Sequence, residues 1–181
     1  NGRVEHGNYQ PSALDGAMRA RGQALMCCAT ALDDVEIEID VETLSAPTLA
    51  PQRHQATLSG IETLAPDVRR LWLTVEGGER IAFSAGQYIN IVLDDGATRS
   101  YSFANAPHDN GRIELHVRRV AGGRFSELAF ERLRVGDTLR FEGPFGRFTL
   151  HEGSAPILFI AGATGFAPIK SIVEDAFHRA I

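Results

Sequence analysis

Six short runs of alternating apolar and polar residues between residues 55 and 143 constrain the fold more than any other feature of the sequence. The runs are QATLSGIETL, VRRLWLTV, QYINIVL, TRSYSFA, IELHVRRV and DTLRFEG, and each is bounded by Gly, Pro, Asp or Asn. Side chains alternate between the two faces of a strand, so such runs are typical of short antiparallel strands. We therefore predict a six-stranded antiparallel barrel over residues 55–152.

One helical pattern, GRFSELAFERL, interrupts these strands. It places four apolar residues on one helical face and a serine, Ser126, near its start. The apolar residues are Phe125, Leu128, Ala129 and Leu133.

The last segment, residues 153–181, has a different pattern. An apolar run, PILFIA, is followed by a glycine-rich turn and a helical pattern. Such a run is typical of a strand buried on both faces of a parallel sheet. We predict the first β-loop-α unit of a nucleotide-binding α/β domain. The residues spaced for one face of its helix are Ile169, Ile172, Val173, Ala176 and Phe177.

The first segment, residues 1–43, holds a short helical pattern within SALDGAMRARGQALMCCATAL and an alternating run, DVEIEIDV, typical of a half-buried strand. Two prolines in SAPTLAPQRH indicate a linker over residues 44–54. The sequence starts without Met and ends within a helical pattern, so we interpret it as an internal part of a longer protein.

Charge and cysteine content restrict the partners and the compartment. The net charge is −5 and the isoelectric point is about 5.7, which argues against nucleic-acid binding. The apolar runs are too short to span a bilayer. The only two cysteines, Cys27 and Cys28, are adjacent, which excludes a disulfide framework. We predict a cytoplasmic protein that binds neither nucleic acid nor membrane.

The stretch TRSYSFANAP combines a cation, an aromatic ring and hydroxyl groups at a strand end. The guanidinium of Arg99 suits a pyrophosphate, which it can bind in a bidentate way. Tyr101 shares its strand face and could lie against a flat heterocycle, while Ser102 could bond to a ring nitrogen. The alternative is an ordinary edge strand with a solvated arginine and a core tyrosine.

Two glycine-containing segments precede helices. In GGRFS, residues 122–126, the glycines would expose the first N–H groups of the helix to an anion, and Ser126 could cap the helix and donate to a phosphate. In AGATGFAP, residues 161–168, small residues would let a dinucleotide approach the backbone. The alternatives are a plain N-cap and a plain strand-to-helix turn.

In chain order, these segments resemble the ferredoxin–NADP reductase superfamily. More narrowly, they resemble bacterial iron–sulfur flavoprotein reductases with an N-terminal plant-type ferredoxin domain, of the CDP-6-deoxy-3,4-glucoseen reductase type. RSYS resembles the flavin motif R-x-Y-[ST], and GGRFS resembles the pyrophosphate motif G-x-x-S. AGATGFAPIKS resembles the nicotinamide-domain motif G-G-T-G-x-x-P, with Ala163 in place of a glycine.

The resemblance implies two sets of cofactor-binding residues. FAD would be bound by Arg99, Ser100, Tyr101, Ser102, His116, Val117, Arg118, Gly123, Arg124, Phe125 and Ser126. NAD(P) would be bound by Gly162, Thr164, Gly165 and Pro168. Tyr101 and Ser102 would act at the reacting flavin ring, and both are therefore candidate catalytic residues.

The resemblance also gives the cysteines a role. Plant-type ferredoxins bind a [2Fe-2S] cluster with C-x4-C-x2-C and a distant fourth cysteine. The first segment resembles the stretch after the third cysteine, with Cys27 as the fourth ligand and Cys28 as its non-ligand neighbour. The other ligands would precede Asn1. Read from the residues alone, both cysteines are small buried residues.

The function implied is that of an NAD(P)H-dependent reductase. Electrons would pass from NAD(P)H through FAD to a [2Fe-2S] cluster and on to a partner protein, a sugar-nucleotide dehydratase or an oxygenase. The alternatives are the reductase component of a multicomponent oxygenase and a non-catalytic flavin-binding module.

Overall fold

The computed structural model describes residues 2–37, 50–151, 153 and 156–181, and the chain divides into two compact units, Asn1–Ala46 and Pro47–Ile181. In the first unit, strand β1 (Val4–His6) pairs antiparallel with strand β2 (Ala29–Ala31), and helix α1 (Gly16–Ala20) lies between them in the chain.

The local structure of the first unit agrees with its sequence at the helix and differs from it at the last strand. The carboxylate of Asp15 accepts the N–H of Met18 at 2.7 Å, so a side-chain cap begins the predicted short helix. In the run DVEIEIDV, residues 34–37 form no strand, and residues 38–41 lie outside the described residues.

Six strands make up the sheet of the second unit. They are β3 (Gln52–Ala65), β4 (Val68–Val75), β5 (Tyr88–Val92), β6 (Thr98–Ser102), β7 (Ile113–Arg118) and β8 (Thr138–Phe145). Their order is β6-β5-β8-β3-β4-β7, and every pairing is antiparallel. All six predicted strands are therefore present, although β3 begins at Gln52, inside the segment predicted as a linker.

The two edge strands of this sheet, β6 and β7, meet at one point. Phe103, directly after β6, forms an isolated antiparallel bridge with Leu115 in β7. Because the described residues show one bridge here and no ladder of hydrogen bonds, the fold is a six-stranded antiparallel sheet rather than the closed barrel that the sequence predicted.

The apolar core lies on one face of the sheet, beside helix α2 (Arg124–Glu131). Because residues paired across antiparallel strands share a face, the alternating apolar side chains converge on this core. Phe125 and Ala129 reach it and Leu128 packs against it, which confirms the predicted apolar face of the helix; Leu133, two residues after the end of the helix, is buried in the same core. The most deeply buried strand residues are Ala56, Leu58, Leu71, Leu73, Ile89, Ile91, Leu115 and Val117.

The last segment contains helix α3 (Phe166–His178), preceded by a 3-10 turn at Ala163–Gly165. The prediction of a buried strand at residues 156–161 is not confirmed, since this run has no strand partner among the described residues, and Leu158 and Ile160 are exposed. Within α3, Ile169 and Ile172 are buried as predicted, whereas Phe177 is 78% exposed. No helix within the described part of the chain is long and apolar enough to cross a membrane.

Candidate functional site

The two motifs predicted to bind one ligand meet at an aromatic contact. The rings of Tyr101 in β6 and Phe125 in α2 have centroids 5.1 Å apart and are tilted by 53°. Tyr101 pairs with Ile89 across β5, and Ile89 is buried, so the tyrosine ring leans over the edge of the core. The fold therefore brings residues 98–102 and the start of α2 together.

The phenol of Tyr101 is held in its neutral form. Burial raises the pKa of Tyr101 to about 12, and the nearby positive charge of Arg99 offsets only part of that rise. At neutral pH this side chain can therefore donate a hydrogen bond from a half-buried position beside the arginine.

Arg99 carries a positive charge that no carboxylate balances among the described residues. It lies on the same strand face as Tyr101, is exposed, and donates from Nη1 to the backbone oxygen of Thr98 at 2.7 Å. A guanidinium of this kind can bind a diphosphate without first giving up an ion pair.

The other two arginines predicted to bind cofactor are already paired. Arg124, at the start of α2, forms an ion pair with Asp95 in the turn between β5 and β6. The hydrogen bond from Arg124 holds the pKa of Asp95 below its usual range. Arg118 donates from Nε to Asp67 at 2.8 Å, toward the turn between β3 and β4. Of the three, Arg99 is thus the strongest candidate for phosphate binding.

The start of α2 offers backbone donors rather than a capping side chain. Gly122 has φ +72°, and a Cβ on Gly123 would clash with Ser126 Oγ, so both positions require glycine. Gly123 is the N-cap and no side chain caps the helix. The N–H groups of the first turn can therefore bind an anion.

Ser126 differs from its prediction as an N-cap. It lies inside the first turn and is buried, and its hydroxyl accepts from the Val120 N–H at 3.1 Å. The same hydroxyl has carbonyl acceptors at Gly123 and Val120, 3.1 and 3.2 Å away. These contacts stabilise the loop, so we expect a phosphate to contact the backbone of this turn rather than the serine hydroxyl.

The two serines of the β6 motif lie on the opposite strand face from Tyr101. Ser100 donates to Asn90 Oδ1 at 2.7 Å, and Ser102 pairs with Tyr88 and is half-buried. Contact between Ser102 and the same ring system as Tyr101 requires the ligand to extend past the end of β6.

His116 and Val117 in β7 are both buried. Val117 belongs to the core, and the Nε2 atom of His116 lies 2.8 Å from Glu114 Oε1. We therefore expect these two residues to contact a ligand through main-chain atoms.

The sequence did not single out Glu114, which is 2% exposed. Its carboxylate is surrounded by Arg70 of β4, His116 of β7 and Lys170 of α3. Two features of the sequence could have drawn attention to Glu114: His116 follows it by two residues, and Lys170 is the only lysine of the chain.

The predicted NAD(P)-binding residues surround the start of α3. Gly162 and Gly165 are exposed, Thr164 is half-buried, Pro168 lies in the first turn, and no side chain caps the helix. Ala163 has φ +48°, in the left-handed region that favours glycine, so its methyl group strains this turn.

Cys27 is exposed rather than buried, and its Sγ lies 3.5 Å from Cys28 Sγ. That contact is the main reason why the pKa of the Cys28 thiol lies above its usual value. Within the described residues, no group of three or more metal-binding side chains is found. The exposed thiol of Cys27 is accessible to a metal cluster, and its assignment as a ligand stays a prediction.

The donor set of the second unit fits a flavin dinucleotide: an arginine without a carboxylate partner and an uncapped helix start flank a half-buried tyrosine. A family model for the oxidoreductase FAD-binding domain matches residues 55–150. The chain belongs to this family. Both motifs and all of the six-stranded sheet except the first three residues of β3 lie within the matched range, which confirms that an FAD-binding domain is present.

Two relatives of this chain are reductases that are named for different partners. The chain is 42% identical over 160 residues to the CDP-6-deoxy-L-threo-D-glycero-4-hexulose-3-dehydrase reductase of Yersinia pestis, covering 88% of the chain and 48% of the relative. It is 44% identical over 175 residues to reductase component 1 of the terephthalate 1,2-dioxygenase of a Comamonas species, covering 96% and 52%.

The fold of this chain also matches that of a solved reductase structure. The cytochrome P450 reductase GcoB of Amycolatopsis matches with a TM-score of 0.69 at 36% identity, over 99% of this chain and 55% of that one. The chain therefore spans about half the length of the relatives that it matches, and the predicted resemblance to flavin-dependent reductases is confirmed.

Proposed function

We propose that this chain is the flavin-binding part of an NAD(P)H-dependent reductase of the cytoplasm. Electrons pass from NAD(P)H through FAD to a [2Fe-2S] cluster and then to a partner protein. The observation that carries the proposal is the meeting of Arg99, Tyr101 and the uncapped start of α2 inside a matched FAD-binding domain.

Bound FAD supplies the redox chemistry, because it exchanges electrons in pairs with a nicotinamide and singly with a metal cluster. The residues of this chain bind and orient it. Arg99 and the first-turn N–H groups of α2 hold the diphosphate, and Tyr101 lies against the ring system and donates a hydrogen bond from its neutral phenol.

The remaining assignments concern the two ends of the chain. The nicotinamide dinucleotide is bound by Gly162, Thr164, Gly165 and Pro168, since small residues before an uncapped helix allow close approach of a phosphate. Cys27 is the fourth ligand of the cluster. The partner is a sugar-nucleotide dehydratase or an oxygenase, the two classes named in the relatives that match at 42% and 44% identity.

Reductase activity of the full-length protein tests this proposal. Purified protein with FAD should oxidise NADH or NADPH when cytochrome c is the acceptor, and Arg99→Ala protein should lose activity in proportion to its lost FAD. A full-length protein that binds FAD and oxidises neither nucleotide would instead be a flavin-binding module. Adding purified dehydratase or oxygenase then identifies the acceptor.

A further inference from the structure

A buried cluster of charged side chains joins helix α3 to strand β7. The carboxylate of Glu114 in β7 is 2% exposed, and its Oε2 accepts from Lys170 Nζ at 2.9 Å. Its other oxygen lies 2.8 Å from His116 Nε2 and 3.0 Å from Arg70 Nε. Three potentially cationic side chains from β4, β7 and α3 thus surround one carboxylate.

The lysine of this cluster is fully paired. Besides Glu114, its amino group donates to the backbone oxygen of Ala104 at 2.9 Å and to Glu174 at 3.1 Å, so all three of its protons have acceptors. Burial by itself would raise the pKa of Glu114. The hydrogen bonds from His116 and Lys170, with the charges of Lys170 and Arg70, outweigh that effect and hold the pKa below its usual range.

A second connection lies beside the first. Ser171, next to Lys170 in α3, donates to the backbone oxygen of Asn105 at 2.7 Å, and both residues are buried. The side chain of Asn105 in turn accepts the N–H of Glu114 at 2.9 Å and donates to the backbone oxygens of Asp109 and Arg112. Helix, loop and strand are therefore held together by directional bonds.

These contacts fall beside both groups of cofactor residues. Ala104 and Asn105 follow Ser102 at the end of the flavin motif, and Glu114 shares its strand with residues 116–118. On the helix, Lys170 and Ser171 lie between one and two turns after residues 162–165, the loop assigned to the nicotinamide dinucleotide. An apolar contact could also attach a helix here, but it would not fix the register as hydrogen bonds do.

We propose that Glu114, acting through Lys170, is a positioning residue that sets the register of α3 and its preceding loop against the flavin-binding strands. This role rests on the proposed reductase function, because the cluster touches neither cofactor itself. Its predicted consequence is that losing the cluster changes how a bound nucleotide is aligned with FAD, and leaves FAD binding intact.

The first experiment measures amide hydrogen exchange in this chain for Glu114→Gln and Lys170→Met. Protection across α3 should fall at least tenfold in both variants, while protection in β3 and β4 stays within threefold of the wild type. Arg53→Met is the matched control, since it removes the exposed ion pair to Glu142 on the same sheet without touching α3. Unchanged exchange in α3 would overturn the proposal.

The second experiment measures reduction of bound FAD by NAD(P)H in the full-length protein at increasing nucleotide concentration. Both single variants should keep their FAD, lower the limiting rate at least tenfold and change the nucleotide dissociation constant less than threefold. A merely structural role would instead lower FAD content and rate together, and that result would overturn the proposal.

The double variant Glu114→Gln/Lys170→Met distinguishes the effect of leaving a charge imbalance in the cluster from the effect of losing the register of α3. Each single variant changes the net charge of the cluster by one, whereas the double variant removes one charge of each sign and leaves the net charge unchanged, so the melting temperature of the double variant should exceed that of either single variant while its rate stays low. A rate restored to the wild-type value would contradict the positioning role. If wild-type protein binds FAD and never oxidises NAD(P)H, the reductase function fails, and the role of the cluster fails with it even where the exchange data agree.

Discussion

Replacing Arg99 by alanine tests the assignment of the diphosphate site. Arg99 has no carboxylate partner among the described residues, so binding a phosphate does not require it to break an ion pair. The variant therefore loses the whole free energy of the contact with the phosphate. A charge-assisted hydrogen bond contributes roughly 1.5–3 kcal/mol. Since about 1.4 kcal/mol corresponds to a tenfold change in affinity, the dissociation constant for FAD should rise roughly 10-fold to 150-fold.

Two other arginines supply matched controls that remove the same formal charge. Arg118 already pairs with Asp67 at 2.8 Å, so Arg118→Ala should weaken FAD binding less than about fivefold, the size of an exposed ion-pair effect. Arg124 must exchange Asp95 for a phosphate, so its net contribution should lie between those of Arg118 and Arg99.

The assay is a titration of FAD-free protein with FAD at fixed ionic strength, followed by the change in flavin fluorescence. Arg99→Lys should give an intermediate affinity, because lysine keeps the charge and loses the bidentate geometry. Equal losses of FAD affinity in Arg99→Ala and Arg118→Ala would refute the reasoning. An arginine with a carboxylate partner and one without would then contribute equally to FAD binding.

Three further predictions concern the remaining site residues. In the full-length protein, Ser102→Ala should slow reduction of bound FAD by NAD(P)H without releasing FAD, because a hydrogen bond to a reacting ring atom affects rate more than binding. If the variant reduces FAD at the wild-type rate in a stopped-flow experiment, Ser102 has only a structural role. Cys27→Ser should abolish iron–sulfur absorbance while Cys28→Ser keeps it, and the reverse result would shift the ligand by one residue. Tyr101 has a folded-state pKa of about 12 against 10.0 for an ordinary tyrosine, so its contribution to stability is complete below pH 10 and is lost as pH rises through 12; Tyr101→Phe protein should lose less stability over that interval in denaturant titrations.

The strands could be predicted because their signal is local. A period of two with turn residues at both ends depends only on neighbouring residues, and all six runs form strands. The apolar face of α2 was also predictable, since Phe125, Ala129 and Leu133 follow the helical period and find a core that the same sheet provides.

The errors arise where a residue's environment comes from a distant segment. Glu114 lies on the polar face of an alternating strand, and it is buried among side chains from three elements, Arg70 of β4, His116 of β7 and Lys170 of α3. Leu158 and Ile160 read as a buried strand, yet a parallel strand forms only beside another strand, and the described residues supply none there. Neither outcome follows from the local pattern.

The site was predictable in its residue types and less so in its contacts. Arg99 and Tyr101 share a face because strands alternate, as expected. The pairing of Arg124 with Asp95 and the inward hydroxyl of Ser126 depend on loop conformations that a motif does not specify. A motif thus identifies which backbone region binds a ligand more reliably than which side-chain atom does so.

Direct binding of FAD to this chain tests the central claim. Protein freed of flavin should take up one FAD per chain on titration, with the visible absorbance of the flavin retained after gel filtration. FMN should bind more weakly, because it lacks the adenosine and the second phosphate, and so offers only half of the diphosphate that Arg99 and the start of α2 are proposed to hold. A folded chain, judged by circular dichroism, that takes up no FAD would contradict the account.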